Sequence, residues 1–216
     1  NYLKNNATFE NDCPILKMAK LYAKENNINI NIGSLLLKIK NKKKLVNRSY
    51  FINSKGKIVK KYDKIHMFDV NINKKETHKE SDTFKAGSKV VLLDLDGVKI
   101  GFTICYDLRF PNLFRNLAKR GAQIILMPAA FTVPSGKAHW EVMLRSRAIE
   151  NSLFVVATNM CGTHHTNRKT YGHSILVNPW GEVISKSKSK PRILNTKINL
   201  DETENARNKI PAILND

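Results

Sequence analysis

The 216-residue sequence is long enough to bury the core of one α/β domain, and its hydrophobic fraction of 42% beside 25% charged residues excludes a disordered chain. Seven Pro and ten Gly exclude a fibrous protein, no apolar run approaches the ~20 residues of a membrane helix, and three Cys without a C-x-x-C exclude a disulfide framework or zinc ribbon and point to a reducing, cytoplasmic compartment. The 37 basic residues against 18 acidic ones, a formal charge of +19, leave a polyanionic partner to be weighed.

Asp12 is placed to cap a helix with Pro14 in its first turn, and Ile15, Met18, Ala19 and Tyr22 form an apolar stripe that carries it to about Glu25. Ile28 to Leu37 and Val46 to Ile52 read as strands, and the turn Asn53-Ser-Lys-Gly56 leads into a third at Lys57 to Lys61, which makes a hairpin. Residues 69–87 are polar and without period, a stretch that in a compact domain is functional or disordered. Lys89 to Leu95 and Val98 to Cys105 flank Asp96-Gly97, the strongest short hairpin signal. Pro111 opens a helix through Arg120, Gln123 to Met127 is an apolar strand, and Gly136 to Asn151 is a helix with Trp140, Met143, Leu144 and Arg147 on one face. Ser152 to Thr158 is a buried strand, Ser174 to Val177 and Val183 to Ser185 pair across Asn178-Pro-Trp-Gly181, and Arg192 to Leu200 is the last strand, before a short helix from Asp201. This order predicts one α/β domain over residues 1–216, without repeat or linker, built as a mixed sheet or as two sheets packed face to face with helices outside.

The positive charge is carried by 28 Lys and 9 Arg, accompanied by 24 Asn and 20 Ile, the residues that an AT-rich genome encodes by default. The basic runs Lys38 to Lys44 and Lys186 to Lys190 read as loops or strand ends. A nucleic-acid binder interleaves Arg and aromatics along one surface, whereas the aromatics here fall inside apolar runs. A solvated lysine-rich surface is expected, with neither nucleic acid nor a membrane as partner.

Cys105 stands apart from the other two cysteines. It sits at the carboxyl end of a strand, just before a helix, where ligands of α/β sheets gather. Strand alternation sets Ile100, Phe102 and Ile104 on one face and Gly101, Thr103 and Cys105 on the other. By position alone, a reactive thiol and an inert core cysteine are comparable readings.

The surrounding residues break the tie. Gly101-Phe-Thr-Ile-Cys-Tyr-Asp-Leu-Arg-Phe-Pro111 closely resembles the nucleophile segment of the carbon–nitrogen hydrolase (nitrilase) superfamily. Lys61-Tyr-Asp-Lys-Ile-His-Met-Phe68 is similar to its lysine segment, and Lys79-Glu-Ser81 with Ala86-Gly87 to its second-glutamate loop. Pro128-Ala-Ala-Phe-Thr-Val-Pro134, His139-Trp-Glu141, Arg145 to Asn151, Thr170-Tyr-Gly-His-Ser174 and Asn178-Pro-Trp-Gly181 follow in family order. Ala130-Phe-Thr-Val-Pro134 and Cys161-Gly-Thr-His-His165 look most like the branch of deaminated-glutathione amidases and the related ω-amidases that act on α-ketoglutaramate.

The resemblance implies a four-layer α-β-β-α sandwich, a homodimer, no metal or other cofactor, and hydrolysis of the C–N bond of a small ω-amide with release of ammonia through a thioester on Cys105. It gives Lys64 the role of a fixed cation for the oxyanion, with the backbone N–H of Tyr106, and Glu80 the role of positioning that lysine and the substrate. Phe131 and Thr132 are expected to line the pocket, Asp107 and Arg109 to hold the turn as an ion pair, and Trp140 and Met143 to pack the core. Cys161, His164 and His165 are weak as metal ligands, since a zinc site needs a fourth.

One departure matters. The superfamily's triad of Glu, Lys and Cys begins with a glutamate, the general base, in a Pro-Glu step after the first long strand. Glu10, the earliest acid, follows no such strand and has no Pro before it, and Asn1 to Asn11 look like the short loop that follows that glutamate in the superfamily. The resemblance therefore implies a strand–helix–strand unit with the base upstream of Asn1, in a longer gene product, or else a degenerate or non-catalytic member. On either reading the 216-residue chain by itself is expected to be inactive and poorly soluble.

Overall fold

In a computed structural model, residues 2–73, 76–164 and 167–215 are described, and the chain divides into two compact units, Asn1–Val91 and Leu92–Asp216. Both are mixed α/β, as the alternation of strands and helices predicted. No helix of the described residues is long and apolar enough to cross a membrane.

The first unit opens with a short helix α1 (Tyr2–Asn6) and strand β1 (Thr8–Phe9), followed by a 3₁₀ turn at Glu10–Asp12 and helix α2 (Pro14–Glu25). The opening residues are thus not the plain loop expected: Thr8 and Phe9 pair in parallel with Leu37 and Lys38. β2 (Ile30–Lys38), β3 (Leu45–Ile52) and β4 (Ile58–Asp63) continue the sheet in the order β1-β2-β3-β4, each antiparallel to the next after β2. The turn before β4 is built by Asn53, whose Oδ1 accepts the N–H groups of Lys55 and Lys57.

α2 begins one residue later than expected, with Cys13 at its cap and Pro14 in the first turn, and it lies on the sheet by its other stripe. Leu16, Ala19 and Ala23 pack with Leu37, Val46, Tyr50 and Ile52, while Ile15, Met18 (65% exposed), Leu21 and Tyr22 face outward. The sequence offers two apolar stripes at the same 3–4 spacing. The one with two alanines wins because small side chains let helix and sheet backbones approach closely.

Residues 69–87 hold more order than the sequence suggested. β5 (Asp69–Asn73) and β6 (Glu76–Lys79) form an antiparallel hairpin, and a 3₁₀ turn, Glu80–Asp82, follows. Phe84 then returns to bridge Leu45, which fastens the stretch to β3.

In the second unit β7 (Leu92–Leu95) and β8 (Val98–Phe102) form the expected hairpin across Asp96-Gly97, both in the left-handed region that this two-residue turn demands. Helix α3 (Pro111–Lys119) leads to β9 (Ile124–Ala129). A single turn α4 (Val133–Ser135), a π-helical segment at Gly136–Trp140 and helix α5 (Glu141–Asn151) lead to β10 (Phe154–Asn159). β8, β9 and β10 are parallel neighbours, the arrangement that helical crossovers make possible. A small hairpin, β11 (Cys161–Thr163) with β12 (Lys169–Tyr171), precedes β13 (Ile175–Val177) and β14 (Val183–Lys186), and the six-stranded order is β14-β13-β10-β9-β8-β7.

Residues 191–199 contain no strand, contrary to the last strand read from Arg192 to Leu200, and Ile193 is 92% exposed. A strand needs a partner edge and a face to bury, and Ile193 has found no such face. Helix α6 (Asp201–Lys209) follows as expected.

Candidate active site

Lys64 immediately follows β4, and its backbone is held on both sides: its N–H donates to the Asn47 carbonyl (2.9 Å) and its carbonyl accepts the Gly87 N–H (2.7 Å). The side chain is 3% exposed and its Nζ lies 2.5 Å from Glu80 Oε2. The same carboxylate oxygen accepts the N–H of Phe68 at 2.6 Å. Two of the six expected site residues are therefore paired in the first unit. Among 28 lysines the default is a solvated side chain, and a buried ammonium persists only with such a partner.

Glu10, set aside as a base, has a different occupation. Its Oε1 takes Lys61 Nζ (2.5 Å), and its Oε2 takes Tyr50 Oη (2.8 Å) and Arg48 Nη1 (3.1 Å). Burial by itself would raise this carboxyl, but the bonds from Lys61 and Tyr50, the Lys61 charge and the bond from Arg48 hold it below its ordinary value. Burial, and then the Glu10 carboxylate, push the Tyr50 hydroxyl well above the usual phenol range. Arg48 also grips Asp63 with two bonds, Nε to Oδ1 at 2.5 Å and Nη2 to Oδ2 at 2.9 Å. The pairings Arg48–Asp63 and Tyr50–Lys61 are cross-strand neighbours of β3 and β4, so this network lies on one face of the sheet.

Cys105 lies in the second unit, and the alternation argument for it fails. β8 ends at Phe102, and although Thr103 still donates to the Leu126 carbonyl, Cys105 turns to φ 51° and starts a 3₁₀ helix, Cys105–Arg109. Its direction is set by this left-handed kink, which costs a non-glycine residue about 1–2 kcal/mol. Strained single residues of this kind cluster at reactive sites. The kink is held by Asp107, fully buried, whose Oδ2 accepts the Ile104 N–H at 2.8 Å while its own N–H returns to the Ile104 carbonyl. A carboxylate on a backbone amide thus fastens the turn for which an Asp107–Arg109 pair had been expected.

Arg109 reaches elsewhere. Its Nη2 lies 3.1 Å from His139 Nδ1 and its Nη1 faces the Met143 sulfur at 3.8 Å, while the guanidinium lies over the rings of Tyr106 and Phe131 at 6.0 and 5.9 Å. Tyr106 is half-buried, with its ring edge-on to Phe110. Phe131 and Thr132, in the loop after β9, are both buried. Asn159 fixes that loop by accepting the Phe131 N–H on Oδ1 and donating Nδ2 to the Gly172 carbonyl. The Thr132 hydroxyl pairs with Ser135, and the Phe131 ring packs on Trp140, which is fully buried as core. Asn159 was not singled out from the sequence, and His139 entered only within the segment His139-Trp-Glu141, with no role given to it.

Cys161 opens β11, His164 Nε2 lies 2.7 Å from Thr170 Oγ1, and His165 lies outside the described residues. Among the described residues no three His, Cys, Asp or Glu side chains gather as a metal site.

A carbon-nitrogen hydrolase family profile matches residues 2–208. The chain is 37% identical over 214 residues to a deaminated glutathione amidase of Yersinia enterocolitica, covering 97% of this chain and 74% of that one. With a deaminated glutathione amidase of Synechocystis it shares 39% identity over 173 residues, 79% of this chain and 63% of the relative. Among solved structures it resembles the C. elegans NitFhit protein, with a TM-score of 0.89 and 36% identity over 95% of this chain and 50% of that one. A CN-hydrolase superfamily protein of Xanthomonas campestris matches with a TM-score of 0.87 and 26% identity, over 100% of this chain and 79% of that one.

Proposed function

The chain belongs to the carbon-nitrogen hydrolase family, a family of hydrolases of non-peptide C–N bonds, and from that premise we propose that it serves an amidase that releases ammonia from a small ω-amide of the deaminated-glutathione kind. The thiolate of Cys105 adds to the amide carbonyl, the oxyanion is met by the Lys64 ammonium and the N–H of Tyr106, and collapse expels ammonia to leave a thioester that water hydrolyses. Glu80 holds Lys64. The family's first glutamate, which takes the thiol proton, is assigned to no residue of this chain, and Glu10 is committed to Lys61, Tyr50 and Arg48.

The observation that carries this reading is the buried Lys64–Glu80 pair, which sets one lysine apart from a lysine-rich surface. Arg109 supports a carboxylate-bearing substrate. Among the described residues no carboxylate pairs with it, and His139 and Met143 leave part of its five-donor fork open.

The test is ammonia release by the full-length gene product from deaminated glutathione and from α-ketoglutaramate, with Cys105→Ala as the control. Faster turnover of the first assigns the substrate, and faster turnover of the second moves the chain to the ω-amidase reading. Turnover of neither, with Cys105 labelled by iodoacetamide no faster than Cys161, favours a member that has kept the fold without the chemistry.

A further inference from the structure

The peptide that carries Lys64 is gripped from two directions. On one side the Asp63 carboxylate is clamped by both arms of Arg48. On the other, Gly87 lies directly against Asp63: a Cβ added to Gly87 would overlap the Asp63 carbonyl oxygen and lie 2.9 Å from both its carbonyl carbon and its Cβ. Gly87 is not among the glycines of positive φ, so what the position requires is space and not a left-handed backbone. Its N–H meanwhile donates to the Lys64 carbonyl at 2.7 Å, which keeps the two segments in register.

We propose that Gly87 and the Arg48–Asp63 pair are positioning residues for Lys64: together they fix the backbone from which its ammonium reaches Glu80. The proposal rests on the role given to Lys64 in the amidase reading. Any side chain at position 87 must push the Asp63–Lys64 peptide away, because a backbone carbonyl cannot yield as the end of a flexible side chain can. The ammonium is then displaced from where the oxyanion forms, and a misplacement of about 1 Å costs about 10²-fold in rate.

The test uses the full-length gene product with deaminated glutathione as substrate, comparing wild type, Gly87→Ala, Asp63→Asn and Lys64→Ala by steady-state kinetics and thermal melting. Gly87→Ala is expected to lower kcat about 10²-fold with KM within about twofold, and Asp63→Asn to lower kcat about 3- to 10-fold, both per folded molecule. A lower melting temperature with wild-type kcat for both variants would leave Gly87 and Asp63 merely structural and overturn the proposal. Should Gly87→Ala fail to fold, Asp63→Asn decides alone, and kcat within twofold of wild type overturns it. Wild-type turnover by Lys64→Ala is a separate result: it removes the amidase chemistry assigned to Lys64, and this inference with it.

Discussion

The two units hold the side chains proposed for the chemistry by different means. In the first, Lys64 and Glu80 are fixed by charge: a buried ion pair, a backbone amide on the carboxylate and, one residue away, the Arg48–Asp63–Glu10 network. In the second, Cys105 is fixed by backbone: the end of a parallel strand, a left-handed residue and a 3₁₀ turn fastened by Asp107. A cation must be compensated wherever it is buried, so its placement recruits side chains. A thiol needs no counter-charge while protonated, so a bend in the chain is enough to aim it.

That contrast can be tested by removing each device in turn. The largest effect is expected from Cys105→Ala, which should lower ammonia release by at least about 10⁴-fold while the melting temperature stays at or above that of wild type. Residual turnover above a hundredth of wild type would remove Cys105 as the nucleophile. Lys64→Met should lower kcat by about 10²–10³-fold and also destabilise by about 3–5 kcal/mol, because Glu80 is left charged and unpaired. The double variant Lys64→Met/Glu80→Gln sharpens the point: melting should recover most of the loss while activity stays low. Recovery of neither would mean that the pair is not held by charge.

Asp107→Ala should cost about 1–3 kcal/mol, since the Ile104 amide loses its buried acceptor, with a decline in melting temperature of about 2–4 °C for each kcal/mol. Melting unchanged from wild type would show that the kink needs no such fastening. The smallest effect belongs to Glu10. Its carboxyl is depressed in the folded chain, so its contribution to stability is complete above the ordinary carboxylate value of about 4.5 and is lost as pH falls through the lower folded value. Below about pH 4.5 the wild type should lose stability more steeply than Glu10→Gln, and parallel melting curves through that range would contradict it.

Much of this was legible in the sequence because local chemistry dictated it. The Asp96-Gly97 hairpin, the helix opened at Pro111 and the three apolar strands that become β8, β9 and β10 each follow from turn residues or unbroken apolar runs. The proposed roles of Lys64, Glu80 and Cys105 come only from the segments around them. What was not legible depends on partners far away in sequence. Nothing local tells Ile15, Met18 and Tyr22 that they face outward, or Arg192 to Leu200 that no strand awaits them. The partners of Glu10 come from residues 48, 50 and 61, and only the pairing of β3 with β4 brings them to one face. Cys105 deceived in a subtler way, for an alternating pattern runs through a residue at which the chain has already left the strand.

The left-handed backbone of Cys105 also bears on how this sequence would age. Asn, Asp and Gly are at ease there and Cys is not, so with Cys105 as the proposed nucleophile, folding and chemistry ask for different residues at one position. As long as hydrolysis is selected, the less comfortable residue is retained. In a duplicated copy released from that demand, drift toward asparagine or glycine at position 105 meets no resistance from the fold and gains from it. On the amidase reading, the identity of this single residue then separates working copies from retired ones, even where the rest of the chain has barely changed.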